Sequence, residues 1–466
     1  MSISSNANGP LPASTPNPSF PEALKNHLAT TPGRLKLAMV IVGLGCFVFW
    51  SVARVSVQAT RQGLQTLGKD AAPSVVLAQK IKTSLADLDA NAANHFLEAE
   101  GGAHTARTAF LKDRDDVSDR VVSAAQNITY GDEERVPIKT MVEGLQTYAA
   151  SADSALALRS SDYHGAASQY FGASKFLHET LLPAADALSD ANDKHLEEGW
   201  KSCQNSAAAR VAVTIAASVV LAVILVLTQI YLARRMRRIL NVPLVLATLL
   251  VLGFSLWMTA RLVSANSALR AAKEDAFDSV HALWKARAVA YDANGDESLY
   301  LIETAWRPRF EETFHQKAAL LVDSPTTTQL LEDAENDKIE FKGFLGAELR
   351  NITFPGEKRA ALDTLQGFAL YMNIDRKIRA LEMAGRHDEA IAVCTGYNPG
   401  QSNWAFEQFD KALGLTLDIN QQEFDKDITR AFGDLAGLEG WAAAVAVAAA
   451  FLTIIGILPR LAEYRG

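Results

Sequence analysis

The stretch VAVTIAASVVLAVILVLTQIYLARRMRRILNVPLVLATLLVLGFSLWMTA, Val211–Ala260, decides the fold. It holds two uncharged apolar runs, Val211–Leu232 and Ile239–Ala260, joined by Ala233-Arg234-Arg235-Met236-Arg237-Arg238. Each run is about 20 residues long, the length a helix needs to cross a bilayer core. So short a link makes the two runs an antiparallel hairpin. Its arginines Arg234, Arg235, Arg237 and Arg238 resist translocation, which places this turn on the cytoplasmic side.

Working outward, a further apolar run precedes the hairpin at Leu37–Ala53 and another follows it at Trp441–Leu458, stopped by Pro459 and Arg460. The first run lacks a small-residue cleavage site, so it reads as an uncleaved span and not as a signal peptide. Four spans with the arginine turn inside put both termini in the cytoplasm. The expected layout is a cytoplasmic tail at 1–33, spans at 34–56, 211–232, 239–260 and 439–458, the basic loop at 233–238, a short tail at 459–466, and two extracytoplasmic segments at 57–210 and 261–438.

Those two segments read as helical. Phe277, Val280, Trp284, Ala288 and Tyr291 recur at three- and four-residue steps, as do Met141, Leu145 and Tyr148, and Leu362, Leu365 and Ala369. Turns are expected at Gly101-Gly102, Gly131, Pro355-Gly356 and Asn398-Pro399-Gly400. The fold class that follows is an all-α membrane protein with four transmembrane helices and two duplicated helical-bundle lobes outside the membrane, each of about four helices.

The duplication is visible as identities at constant offset. Asn127-Ile128-Thr129-Tyr130 meets Asn351-Ile352-Thr353-Phe354 at 224, and Glu133, Arg135 and Thr140 meet Glu357, Arg359 and Thr364 at the same offset. Asp89-Ala90-Asn91 meets Asp292-Ala293-Asn294 at 203, and Asp190 and Asn192 meet Asp418 and Asn420 at 228.

Composition narrows the function. A net charge of -8 argues against nucleic acid as a partner. The three cysteines show no metal spacing, and free thiols are expected in preference to a Cys203–Cys394 disulfide. No catalytic motif is present, which points away from an enzyme and from a cofactor. Asp292-Ala293-Asn294-Gly295-Asp296 begins like a calcium loop, but its glycine comes too early and the closing glutamate is missing, so no metal site is assigned. The spans carry Thr214, Ser218, Thr228, Gln229, Asn241, Thr248 and Ser255 but no charge at mid-depth, which disfavours an ion-coupled pump. The candidate ligand or partner-binding residues are therefore the shared polar ones: Asp89, Asn91, Arg135, Asp292, Asn294 and Arg359. For the two asparagine–aspartate pairs the competing reading is a hydrogen bond that fixes bundle register. For the two arginines it is a salt bridge between lobes.

The motif Leu85-Ala86-Asp87-Leu88-Asp89-Ala90-Asn91-Ala92-Ala93-Asn94 and the hairpin Arg234-Arg235-Met236-Arg237-Arg238-Ile239-Leu240-Asn241 resemble bacterial four-span membrane proteins of the GlnX type. The lobes are also similar in plan to the four-helix sensor modules of chemoreceptors, without their signalling helices. The GlnX resemblance implies a bilayer-embedded relay: aspartate or glutamate, carried by a solute-binding lipoprotein outside, and a soluble kinase or other effector inside. A homo-oligomer is compatible with this layout. The alternative is a structural or scaffold protein of the envelope that transmits nothing.

Overall fold

The structure, a computed structural model, describes residues 30–98, 105–236 and 241–463. Most of the expected N-terminal tail, the Gly101-Gly102 turn, and Arg237 and Arg238 lie outside the described residues. The helices in chain order are α1 (Thr31–Gln65), α2 (Ala72–Leu97), α3 (Thr105–Gln126), α4 (Asp132–Leu158), α5 (Tyr163–Phe176), α6 (Leu182–Met236), α7 (Val242–Ala271), α8 (Asp278–Ile302), α9 (Arg307–Leu321), α10 (Thr328–Glu335), α11 (Phe344–Arg350), α12 (Glu357–Met383), α13 (His387–Cys394), α14 (Ser402–Leu435) and α15 (Leu438–Ala462). Three π-helical turns, Thr66–Ala71, Leu177–Leu181 and Ala272–Phe277, link α1 to α2, α5 to α6 and α7 to α8 without a break. No strand occurs among the described residues.

The chain forms two compact units. An apolar unit comes from the chain up to Gln58, from Ala208–Leu262 and from Ala436 onward. A polar unit comes from Ala59–Ala207 and Val263–Leu435. Four helical runs carry apolar windows of membrane-spanning length, as the sequence predicts: Thr31–Leu97, Tyr163–Arg235, Val242–Ile302 and Ser402–Ala462.

In the apolar unit the exposed side chains are themselves apolar. Leu44, Phe47, Val220, Leu227, Leu249, Leu256, Val447 and Phe451 all face outward, Leu256 at 75% exposure. Such a surface suits hydrocarbon and not water. The hydroxyls of the spans bond locally. Ser218, Thr228, Thr248 and Ser255 each donate to the carbonyl four residues earlier. Gln229 donates to the Leu244 carbonyl and Thr248 Oγ1, and Asn241 to the Gly456 carbonyl at 2.8 Å. These residues join spans to one another, a structural use of polarity within a bilayer.

In the polar unit the two halves repeat one geometry. Asn127 Nδ2 donates to Ser74 Oγ at 2.9 Å, and Asn351 Nδ2 to Ser279 Oγ at 3.0 Å. Glu134 accepts the amides of Thr129 and Tyr130, and Glu357 those of Thr353 and Phe354. Gly131 and Gly356, at φ 67° and 87°, begin α4 and α12, where a side chain would be strained. Gly144 faces Leu181, and Gly367 faces Phe409.

These contacts correct two alignments drawn from identities. In the third helix of each half Glu134, and not Glu133, corresponds to Glu357. Glu133 instead holds Lys194 and His195. In the first helix Ser74 corresponds to Ser279, an offset of 205, so Asp87 matches Asp292, Asp89 matches Asn294 and Asn91 matches Asp296. A slip of two residues turns a helix by about 200°, so matching the Asp-Ala-Asn triads puts unlike faces together.

The first helices of the two halves lie side by side. Lys80 sits over the Trp284 ring at 5.2 Å, a Cβ at Gly295 would meet the Ala90 Cα at 3.6 Å, and Ser298 Oγ donates to Asn94 Oδ1 at 2.7 Å. Residue i therefore lies next to residue i+205 or its neighbour. Helices α2 and α8 are parallel and in register, as across the twofold axis of a dimer. The two expected lobes are thus one body built on a shared central pair.

A Cβ at Gly367 would fall 2.8 Å from the Phe409 Cα, a backbone atom that cannot swing aside. Gly367→Ala should destabilise the chain by about 1–3 kcal/mol, despite the gain of about 1 kcal/mol in helix propensity. Gly414→Ala, where nothing lies within 4 Å, should stabilise it. Thermal unfolding of the two variants should move in opposite directions.

Candidate functional site

One turn and a half of α8 has polar groups on every side. Asn294, Asp296, Glu297 and Ser298 are buried, and Asp292 is nearly so. A buried polar side chain needs a partner, and the partners come from both halves of the unit.

Asp292 Oδ1 accepts from His178 Nε2 at 2.7 Å and lies 3.0 Å from Lys317 Nζ. Lys317 also reaches Asp296 Oδ2 at 2.6 Å. The other ring nitrogen of His178 lies 2.8 Å from the Ser174 carbonyl. A carbonyl and a carboxylate both accept, so both ring nitrogens must donate and the ring is an imidazolium. Burial opposes that charge, but the hydrogen bond and charge of Asp292, with Asp89 beyond, carry the His178 pKa up to about 9. His178 lies in the π-helical turn Leu177–Leu181, a helical irregularity often found at functional sites.

Asp89 is caged by hydroxyls. Its Oδ1 accepts from Tyr148 at 2.8 Å and Tyr170 at 3.0 Å, and its Oδ2 from Ser174 at 2.7 Å. His178 Nδ1 lies 3.8 Å from Asp89 Oδ2. The sequence Asp89, His178, Asp292, Lys317, Asp296 is thus an alternation of charge running from the first half of the unit into the second.

Further along α8, Glu297 Oε2 accepts from Ser402 Oγ at 2.6 Å, with Cys394 Sγ at 4.0 Å. Glu297 Oε1 is buried without a hydrogen bond among the described residues. Asp375 pairs with Arg379 at 2.9 Å, and the Arg379 guanidinium lies over the Tyr300 and Phe314 rings at 4.6 and 4.7 Å. Burial, reinforced by the Asp375 charge, pushes the Glu297 pKa up to about 8, so Glu297 holds its proton at neutral pH.

The structure brings together some of the residues expected from the sequence and separates others. Asp89 and Asp292 are joined through His178. Asn294 lies beside Tyr371, in the place that Asp89 takes beside Tyr148. Asn91 donates to Asp87 and Asp113, both at 2.8 Å. Arg135 and Arg359 belong to none of this. Their side chains are 63% and 78% exposed and pair within their own helices, with Asp132 at 2.7 Å and Asp363 at 3.0 Å. Neither bridges the halves, and acids in the first turn of each helix, Asp132 to Glu134 and Glu357, offset the unfavourable placing of a cation at a helix start. The stretch that begins like a calcium loop is helix throughout, and no group of metal-binding side chains occurs among the described residues. Cys46, Cys203 and Cys394 are free thiols.

Four helices of membrane-crossing length and an all-helical polar unit define a multi-pass membrane protein. Residues 63–200, the first half of the polar unit, match the family model of an actinobacterial sensor domain. No curated protein matches the chain. The family match and the apolar helices together support a membrane sensor.

Between pH 4.5 and 8 the unfolded chain has released the Glu297 proton while the folded chain keeps it. Stability contributed by this group is full below about 4.5 and falls as the pH rises toward 8. Glu297→Gln should remove this slope. Chemical denaturation at pH 5.5 and pH 8 should find the variant gaining on the parent protein as the pH rises.

Proposed function

We propose that the polar unit faces the cell exterior and that the protein relays an external signal to a separate cytoplasmic effector. The observation that carries this reading is continuity. The run Val242–Ile302 contains both a membrane-length apolar window and the buried polar turn of α8, with no loop between them. A binding event that alters the Asp89–His178–Asp292–Lys317 chain acts on a helix that is also a span. Displacements of an ångström or two are the usual scale of such signals. α1 and α6 likewise run from one unit into the other, whereas Gly437, at φ 73°, separates α14 from α15.

On this reading the stimulus is a small ligand or a ligand-loaded solute-binding protein. The output passes to a separate effector, in the manner of the GlnX type that the sequence resembles. The basic turn after α6, with Arg234 and Arg235 exposed at its start, is the inward-facing contact surface.

Topology is tested by single cysteines on a background whose own thiols are buried. In intact cells a membrane-impermeant maleimide should label Asp153→Cys, on the exposed face of α4, and should label Arg235→Cys only after permeabilisation. The reverse pattern rejects the orientation. Relay is tested separately by thermal shift of the full chain in nanodiscs against amino acids and loaded binding proteins. A shift with any of them supports sensing. No shift, together with in-cell crosslinks confined to envelope structural proteins, would favour the scaffold instead.

A further inference from the structure

A cleft of about 310 Å³ opens in the polar unit between α2 of the first half and the π-helical turn before α8 and α14 of the second. Its apolar wall is Val76, Leu77, Phe277 and Phe424. Its polar lining is Lys80, Gln421 and Asp425. The volume lies at the lower end of the range for small-molecule pockets.

Lys80 is the unusual member. It is half-buried, and among the described residues no carboxylate lies within ion-pair distance of its ammonium. Its one close partner is the Trp284 ring, which Arg287 also approaches at 5.2 Å. Arg287 is already committed to Asp410 by two bonds of 2.7 and 2.6 Å, and Arg120 to the Lys80 carbonyl and Ser84. Burial, with the charges of Arg120 and Arg287, pulls the Lys80 pKa down, and Asp418 opposes this only from a distance. A cation held among cations beside a cleft has unfilled affinity for an anion.

The duplication supplies an internal comparison. At offsets of 205 for the first helix and 228 for the last, Val76, Lys80, Gln421, Phe424 and Asp425 correspond to His281, Lys285, Asp193, Leu196 and Glu197. The lysine is present in both copies. In the second copy its surroundings include a carboxylate: Asp193 lies 3.6 Å from His281, and burial pushes it up while Lys285 pulls it back. Glu197 is held by Lys273 at 2.5 Å. In the first copy Gln421 stands where Asp193 would be, and Val76 where the imidazole would be. The carboxylate that lines the first copy's cleft, Asp425, accepts from Gln421 at 3.1 Å and makes no ion pair with Lys80, and the cleft is open.

We propose that this cleft binds a small organic monocarboxylate with an apolar body, its carboxylate on Lys80 and Gln421 and its body against Val76, Leu77, Phe277 and Phe424. Asp425, which accepts from Gln421 Nε2 at 3.1 Å, adds a negative charge to the same lining, so a dicarboxylate such as aspartate is the poorer ligand. The proposal deepens the sensor reading and takes its biological sense from it. Binding is measured apart from signalling, so a cleft that binds and does not signal defeats only the sensor reading.

The experiment uses the full chain in lipid nanodiscs, with ligand-observed NMR and calorimetry. The probes are benzoate, phenylacetate, indole-3-acetate and hexanoate, their uncharged amides, and aspartate. Binding of at least one monocarboxylate is expected, weaker for its amide by about tenfold or more, the scale of one charge-assisted hydrogen bond. Lys80→Gln should weaken it to the same degree. Gln421→Asp, which installs the second copy's own carboxylate, should do so too, with a cooperative unfolding transition showing that the variant is folded. No binding by any of the monocarboxylates overturns the proposal. So does binding that survives both substitutions, binding shared equally by the amides, or binding in which aspartate is preferred.

Discussion

The contact between Ala90 and Gly295 sets the arrangement of the polar unit. Even an added Cβ at Gly295 would lie 3.6 Å from the Ala90 Cα, an ordinary contact, so the two small residues let α8 run close to α2. The two first helices then run parallel, with Lys80 over Trp284 at one end and Asn94 bonded to Ser298 at the other. A slip of one helical turn would part all three contacts. Because the paired helices are equivalent members of a duplicated chain, each forms part of the core of the other's half. The buried position of Asp292–Ser298 follows, since α8 is enclosed by α2 on one side and by its own bundle on the others.

Such a helix would be expected to be apolar, and it is not. Replacing buried ion pairs by well-packed hydrophobic side chains is commonly neutral or stabilising, so stability alone gives no reason for Asp292, Asp296, Glu297, Asp375 and Arg379 to lie where they do. The charges are made tolerable in different ways. Asp292 and Asp296 share Lys317, His178 donates from both nitrogens, and Arg379 spreads its charge over two rings. Glu297 avoids the cost by keeping its proton. A network of this kind has discrete states separated by one proton or one displaced partner, which a hydrocarbon core lacks. That is the physical reason to connect it with sensing.

Much of the architecture was legible in the sequence. Apolar windows of membrane length can be seen without coordinates, and three-four periodicity marks the helices. The repeat was visible because Asn127-Ile-Thr-Tyr and Asn351-Ile-Thr-Phe form the same turn, with local hydrogen bonds that demand the same residues. Register was harder. Asp-Ala-Asn occurs in both first helices, yet the residues that perform equivalent work, Asp89 and Asn294 or Asn91 and Asp296, are not identical, so identity misled by two positions. His178 and Lys317 were missed because each acts on a residue far away in the chain, and a lone histidine in an apolar helix carries no spacing signal. Gln79, which bonds to the distant Ser189 at 2.8 Å, was hidden for the same reason. Arg135 and Arg359 are a converse case: at the corrected offset of 223 Arg135 corresponds to Lys358, and each arginine makes an exposed ion pair within its own helix, which contributes little to stability.

The two copies have not diverged evenly. Where structure demands a residue it is retained or replaced by an equivalent: Asn127 and Asn351 at the turn, Gly144 and Gly367 at the close approach, Lys82 and Arg287 on the acids of the last helices. Divergence is concentrated on the flanks of the central pair. There Asp89 is answered by Asn294, Asp113 by Lys317 and Gln421 by Asp193. Each replacement changes charge while preserving the helix that carries it, so the fold tolerates it and the electrostatics of the two flanks become different. A homodimer built on the same plan would be forced to keep both flanks identical. Fusion into one chain removes that constraint, allowing one flank to carry Asp193 and His281 near its lysine while the other carries Gln421 and Val76 beside an open cleft.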